Sequence, residues 1–398
     1  MGHENKKPGA VVLGSDFKAL AVVRSLGYHG IPSVVVDDDP KSAWTSRFVR
    51  ERVKTPVPMH GEQFCSFLVD MSKRLHLDRW ILFPTQDEVV EFVSRHTDQL
   101  SAYFQLAAQG WDTLRWACDK RLTYSLAEQS GVPYPATWYP KNVDDLTKLD
   151  LPFPVILKPA VSITFQHVTR LKAISVNSYE ELLSAYERVA AIIPPDEIMI
   201  QEVIPGRGES QFSVVAYCQA GTPLVTMTAR RTRQYPVDFG LGSSFVESLF
   251  VPDIIDPATR LLQHMGVTGM VEVEFKRDAR DASYRLLDIN VRPWGWHGLC
   301  KSCGIDFPYL HYCELVGDPQ PSVPVLYGPR WMRVATDLPA AFWQLRNREL
   351  SLGDYIKSLR GTTVFSVFDW KDPLPLISDL TSLTVRAARG AFRRGVPA

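Results

Sequence analysis

The stretch that decides the fold is Val271 to Trp296, VEVEFKRDARDASYRLLDINVRPWGW. It opens on an alternating run, Val271-Glu272-Val273-Glu274-Phe275. Glu272 and Glu274 share one face of a strand there, and the apolar residues share the other. A charged turn runs from Lys276 to Asp281, and a second strand, Tyr284 to Ile289, leads into Asp288-Ile289-Asn290-Val291-Arg292. Pairing the two strands antiparallel gathers Glu274, Asp288 and Asn290, with Arg292 one step beyond. Three hard oxygen donors beside a guanidinium suit Mg²⁺ carrying phosphate. The alternative is a hairpin whose charges only face water.

The rest of the chain frames this hairpin. Its 398 residues suffice for two or three domains, with 45% hydrophobic and 22% charged residues as in ordinary soluble proteins. Lys plus Arg and Asp plus Glu balance at 44 each, so no general attraction to nucleic acid is expected. No apolar run approaches a membrane span, the start lacks a signal-peptide core, and six scattered cysteines suit reduced thiols; a cytoplasmic protein is expected. Cys300-Lys301-Ser302-Cys303 reads as two packed thiols, because no second pair accompanies it.

In chain order, a strand at Ala10 to Leu13, a helix at Phe17 to Leu26 and a strand at Ile31 to Val36 make a doubly wound opening. A single turn glycine, Gly14, argues against a dinucleotide fingerprint. Trp80 to Phe83 is another strand, with Pro84 to Glu88 at its carboxyl end, where ligands bind in open α/β sheets. Asp87 and Glu88 fit equally as acids of a helix N-terminus. Asp119-Lys120-Arg121 opens a helix closed by Gly131. Phe153 to Leu157 delivers Lys158, a cation whose burial is costly without an anion. Leu171 to Val176 is read as a strand carrying Lys172, Ser178 to Ala191 as a helix, and Ile198 to Glu202 as a strand. A hairpin turns at Ala220 to Pro223. Arg230, Arg231 and Arg233 precede the loop Phe239 to Ser244; they read either as guanidinium forks for carboxylate or phosphate or as a solvated edge strand. Trp294, Trp296 and His297 are expected to line a pocket. Asp369 to Pro375 reads as a turn, and Leu380 to Arg394 as an amphipathic helix bearing Arg386, Arg389, Arg393 and Arg394, read as solvated or as touching an anionic surface or partner.

Several motifs in order resemble the ATP-grasp carboxylate–amine ligases over roughly Ala10 to His297: Asp119-Lys120, Ile156-Leu157-Lys158-Pro159, Gln201 to Gly206 followed by Glu209, and Glu274 followed fourteen residues later by Asp288-Ile289-Asn290-Val291-Arg292. The loop Ala160 to Arg170 has no glycine, which favours the D-aspartate ligase-like branch, and Asp288 stands where a longer Glu is commoner. The resemblance implies an α/β ATP-grasp fold with an N-terminal doubly wound domain over 1–113, a central lobe with a lid over 114–205, a C-terminal lobe with the metal hairpin over 206–326 and an extension over 327–398. It implies ATP with Mg²⁺, two ions with Mn²⁺ as a substitute. Lys120, Lys158 and Lys172 would meet the phosphates, Glu202 and Val203 the adenine, and Glu209 the ribose. Glu274, Asp288 and Asn290 would hold metal, and Arg292, Arg231 and Arg233 would act in catalysis. The implied reaction joins a small-molecule carboxylate to an amine, an amino acid among them, through an acyl phosphate. A binding protein that has lost catalysis and a bicarbonate-using enzyme are the alternatives. The oligomeric state is left open, a dimer being one option.

Overall fold

In the computed structural model, residues 7–161, 165, 168–169, 171–238, 240, 242–318, 324–361 and 363–381 are described. The chain forms two compact units: Met1–Gly110 with Arg292–Leu338 and Gly353–Ala398, and Trp111–Val291 with Pro339–Leu352.

The first unit is built on five parallel strands, β1 (Ala10–Leu13), β2 (Ser33–Asp37), β3 (Val49–Lys54), β4 (Ile81–Pro84) and β5 (Gln105–Leu106), in the order β3-β2-β1-β4-β5. Every residue of β1 and β2 is buried, which is why these strands read as continuous apolar runs. Leu13, Val36, Phe64 and Phe92 fill one face. Val12, Val35, Leu20 and Phe83 fill the other, joined from far along the chain by Tyr312, Cys313 and Val367. The helix Phe17–Tyr28 starts where expected, because the Asp16 side chain accepts from the Lys18 and Ala19 amides at 2.8 and 3.2 Å. Gly14 turns at φ +103°, and a Cβ there would lie 2.5 Å from Thr85 Oγ1. Asp87 and Glu88 do open a helix, Asp87–Arg95.

The expected turn is present at 369–372, where the Asp372 amide donates to Asp369 O at 3.1 Å, and it is anchored. The buried Asp372 accepts from Arg24 Nε (3.0 Å), Ser46 Oγ (2.7 Å) and the Arg47 amide (2.9 Å), and a helix follows over 374–381. Arg386, Arg389, Arg393 and Arg394 of the expected terminal helix lie outside the described residues. All six cysteines are thiols, Cys300 and Cys303 both buried. Trp294 and Trp296 are core residues, Trp294 packing edge-on against Phe307 at 5.1 Å, so the tryptophan pair is interior rather than an open lining. Among the described residues no helix is long and apolar enough to cross a membrane.

The second unit holds two antiparallel sheets. In one, β6 (Thr137–Trp138), β7 (Val155–Pro159), β8 (Ile174–Val176) and β9 (Ile198–Glu202) run in the order β6-β9-β7-β8. The helix Tyr179–Ala190, capped by Ser178, packs Leu182, Tyr186 and Val189 onto Leu157, Val176 and Ile200. β8 is shorter than the sequence pattern suggests, and Lys172 precedes it. Of the lid loop, 162–164, 166–167 and 170 lie outside the described residues, whereas Phe165 is buried in this core.

In the other sheet, β10 (Gln211–Gln219), β11 (Thr222–Tyr235), β12 (Gly242–Ser248), β13 (Gly269–Arg277) and β14 (Tyr284–Asn290) lie in the order β14-β13-β10-β11-β12. The arginine run therefore belongs to β11, which pairs with β10 on one side and β12 on the other; the edge-strand reading fails.

Candidate active site

β13 and β14 pair as the sequence alternation requires, with Glu274 opposite Asp288 and Glu272 opposite Asn290. A bulge separates the Glu274/Asp288 pair from Phe275/Leu286, accommodating Leu287. Asn290 Nδ2 donates to Glu272 Oε2 and to Glu274 Oε1, both at 3.1 Å. Glu274 Oε2 accepts from Arg231 Nη2 at 2.9 Å, and Glu272 Oε1 from Ser213 Oγ at 3.0 Å. Glu274 is 9% exposed and Glu272 3%, so the hairpin carboxylates are desolvated and held, not solvated.

The lysines arrive from separate elements. Lys120 begins the helix Lys120–Gln129, whose first turn Asp119 caps, and its amide donates to Ala160 O at 2.9 Å. Its ammonium forms an ion pair with Asp288. Burial opposes the Lys120 charge, but Asp288 outweighs it and the pKa is raised; burial likewise opposes the Asp288 charge, but Lys120, Lys172 and Lys158 together lower its pKa. Asp288 is thus a counter-ion to Lys120 as well as a neighbour of Glu274. Lys158 is held differently. Its Nζ donates to the Tyr124 hydroxyl at 3.2 Å and lies 5.6 Å from the centre of that ring. Burial, helped by the positive charge of Lys120, lowers its pKa despite opposing contributions from Tyr124 and Asp288.

Other expected residues have partners of their own. The Glu202 carboxylate accepts from the Ala136 amide and from Arg280 Nη2, both at 2.9 Å, while its own amide donates to Ala136 O. Asp278, buried beneath Arg280 and Arg285, is pushed down to about 2, first by its hydrogen bond from Arg280. Glu202 is therefore tied into this network, and Val203 follows the end of its strand. Glu209 is exposed and accepts from the Arg207 amide at 3.1 Å, while Lys276 Nζ donates to Gly206 O at 2.6 Å. Arg233 is buried with its guanidinium 4.1 Å from the Phe245 ring centre. Arg230 lies on the opposite side of β11, bound to Glu247 at 2.9 Å. Arg292 belongs to the first unit, where it grips Asp87 through two bonds of 2.5 and 2.9 Å.

Glu272, Ser213 and Tyr124 join the site without having been expected there. Glu272 carried a signal, since alternation already placed it on the Glu274 face. Tyr124 follows Lys120 by four residues, one helical turn. Ser213 had none, because only pairing of β10 with β13 brings it near Glu272.

Among the described residues no three His, Cys, Asp or Glu side chains converge as a ready cage. The donors that do gather, Glu272, Glu274 and the Asn290 amide, are hard oxygen groups. Few protein ligands completed by phosphate oxygens are what Mg²⁺ accepts, so the residues fit it.

Residues 195–335 match the family described as ATP-grasp in the biosynthetic pathway with Ter operon. A solved structure of L-amino acid ligase from Bacillus licheniformis aligns at TM-score 0.60 and 16% identity, over 77% of this chain and 74% of that one. The chain has the ATP-grasp fold. A second likeness in fold is the biotin carboxylase domain of 2-oxoglutarate carboxylase from Hydrogenobacter thermophilus, solved with MgADP, ADP and bicarbonate, at TM-score 0.65 and 14% identity over 82% of this chain and 74% of that one. In sequence the chain is 26% identical over 312 residues to D-aspartate ligase of Enterococcus faecium, covering 73% of this chain and 72% of that protein. The matched ATP-grasp segment contains the whole β13–β14 hairpin, whereas Lys120 and Lys158 lie before it.

Proposed function

We propose that the protein is an ADP-forming ligase that joins a carboxylate to an amine, an amino acid being one partner. The observation that carries the reading is Lys158, a half-buried ammonium at the end of a buried strand, hydrogen-bonded to a tyrosine hydroxyl and shadowed by a second lysine. Burial of such a cation is costly, and phosphate oxygens are the anions that would compensate it. Likeness to D-aspartate ligase and to L-amino acid ligase supports the substrate class.

In this reading ATP lies between the β6–β9 sheet and the β13–β14 hairpin. Lys158 and Lys120 hold its phosphates, Lys172 joins them, backbone groups at Val203 meet the adenine, and Glu209 meets the ribose. Glu274 and Asn290, with Asp288 or Glu272, would hold Mg²⁺, two ions or Mn²⁺ in its place. When bound, the metal offsets phosphate charge. A carboxylate oxygen attacks the γ-phosphorus as the bond to ADP breaks, giving an acyl phosphate. The amine nitrogen then attacks the acyl carbon, phosphate leaves, and the nitrogen loses a proton. Arg231 would exchange its Glu274 contact for an oxygen of the acyl phosphate, and Arg233 is the further cation of the same unit assigned to charge stabilisation. Each step needs positioning and fixed charge rather than a side-chain nucleophile.

The test is phosphate release from ATP across amino acids and carboxylates, with mass identification of the condensed product. Glu274→Gln should lower kcat by on the order of a hundredfold with ATP binding by calorimetry nearly unchanged. Lys158→Ala should weaken ATP binding itself. ADP release that needs bicarbonate and no amine would replace this reading with a carboxylating one, and parent turnover in Glu274→Gln would remove the hairpin from the metal site.

A further inference from the structure

Glu272 stands outside the ligands that the hairpin pattern implies, yet it is the deeper of the two carboxylates on β13, 3% exposed against 9% for Glu274. Alternation puts both on one face of the strand, so two like charges lie close together in a desolvated sheet. Asn290 joins them. Its Nδ2 donates to Glu272 Oε2 and to Glu274 Oε1, both at 3.1 Å. The first bond runs straight across the β13–β14 pair, where Asn290 is opposite Glu272, and the second runs diagonally. From β10, on the other side of β13, Ser213 Oγ donates to Glu272 Oε1 at 3.0 Å. Glu272 is thereby held from both neighbouring strands by uncharged donors. Glu274 instead turns its second oxygen to the Arg231 guanidinium at 2.9 Å.

An asparagine amide has one end that can meet a hard cation, its oxygen, and one that cannot. An ionised carboxylate only accepts, so the end of the Asn290 amide lying between two carboxylates is the nitrogen. Held by Glu274 alone, the amide could turn over at the loss of a single contact. With Glu272 present, the reversed amide would set its oxygen against two buried carboxylates. We propose that Glu272, steadied by Ser213, is a positioning residue that fixes the Asn290 amide with its oxygen toward the metal, and is not itself a ligand. The inference rests on the metal-site part of the ligase reading. Partners of ligating side chains set orientation in this way, and their loss costs about tenfold to a hundredfold in metal affinity.

Mn²⁺ titration followed by electron paramagnetic resonance, on the full chain saturated with ADP, reads the metal without turnover. Glu272→Ala should weaken Mn²⁺ binding by about tenfold to a hundredfold. Glu272→Met, which fills the volume without offering a carboxylate, should do the same and serves if the Ala variant does not fold. Glu272→Gln should recover most of the affinity, because its carbonyl can accept from Asn290 while Ser213 accepts from its amide. A loss as large in Gln as in Ala would mean that the charge itself binds metal, and overturns the positioning role. In an Asn290→Ala background, Glu272→Ala should cause no further loss, because its effect passes through that amide. A full further loss there overturns the proposal, and so does parent affinity in Glu272→Ala. A merely structural role would lower the melting temperature and leave the Mn²⁺ affinity of the folded protein unchanged. A parent chain that binds no Mn²⁺ with ADP removes the metal site and this role together. One that binds Mn²⁺ but ligates no amino acid refutes the ligase reading alone.

Discussion

Lys120 is a buried and Lys158 a half-buried cation of the second unit, and one neighbour separates their behaviour. Lys120 has a carboxylate, Asp288, and keeps its proton; Lys158 has a phenol and is pushed toward losing it. In the first unit His297 shows the same arithmetic with the opposite polarity of consequence. Its Nδ1–H donates to Trp294 O at 2.7 Å, Nε2 has no hydrogen-bond partner among the described residues, and burial pushes the pKa down to about 4 from 6.5. Between those values the unfolded chain binds the proton and the folded one does not, so stability falls as pH drops through that window. The loss from this residue should approach about 3 kcal/mol near pH 4. Denaturant unfolding at a series of pH values checks it: His297→Gln should flatten the profile below pH 6.5, leaving the share due to His311, also depressed to about 4 by burial. An unchanged slope in the variant would mean that His297 charges freely in the folded state.

Among the elements, the bulged hairpin and the strand beside it bring the chemistry together. β11 lies two strands from β13, yet Arg231 reaches Glu274 across β10. The connection from β9 to β10 depends on one glycine. Gly206 has φ +94°, and a Cβ there would fall 2.2 Å from Ser210 Oγ and 2.9 Å from its Cβ. Its carbonyl also accepts from Lys276. Gly206→Ala should therefore destabilise by roughly 1–2 kcal/mol from the backbone alone, more with the clash. Adding Ser210→Gly should return the clash portion and leave the backbone portion. Thermal unfolding of the single and double variants separates the two, and a single variant as stable as the parent would show the loop taking another conformation.

For the molecule as a whole, the consequence lies in how the units are threaded. The first unit is assembled from Met1–Gly110, Arg292–Leu338 and Gly353–Ala398. Tyr312, Cys313 and Val367 complete one face of its β1–β4 core, and Asp372 neutralises the buried Arg24. A fragment ending at residue 110 contains all five strands but leaves that face open and Arg24 uncompensated. It should bind a hydrophobic dye and lack a cooperative thermal transition, while the full chain shows one. A cooperative fragment would mean that the returning segments decorate the unit without completing it.

What the sequence by itself determined was the local order: the doubly wound opening, the helix beginning at Phe17, the strand that delivers Lys158, and a hairpin that gathers Glu274, Asp288 and Asn290. Each follows from a period of two or 3.6, or from a cap or turn residue a few positions away. What only the tertiary structure decided was which charges meet. Spacing could not pair Lys120 with Asp288, Arg24 with Asp372 or Ser213 with Glu272, because those contacts join elements far apart in the chain. Nor could it distinguish an arginine run on a solvated edge from one inside a sheet, since burial of β11 comes from β10 and β12 and not from its own residues. The same gap explains the tryptophans after Asn290. A strand end followed by aromatics is compatible with pocket or core, and only the packing of Trp294 on Phe307 makes it core.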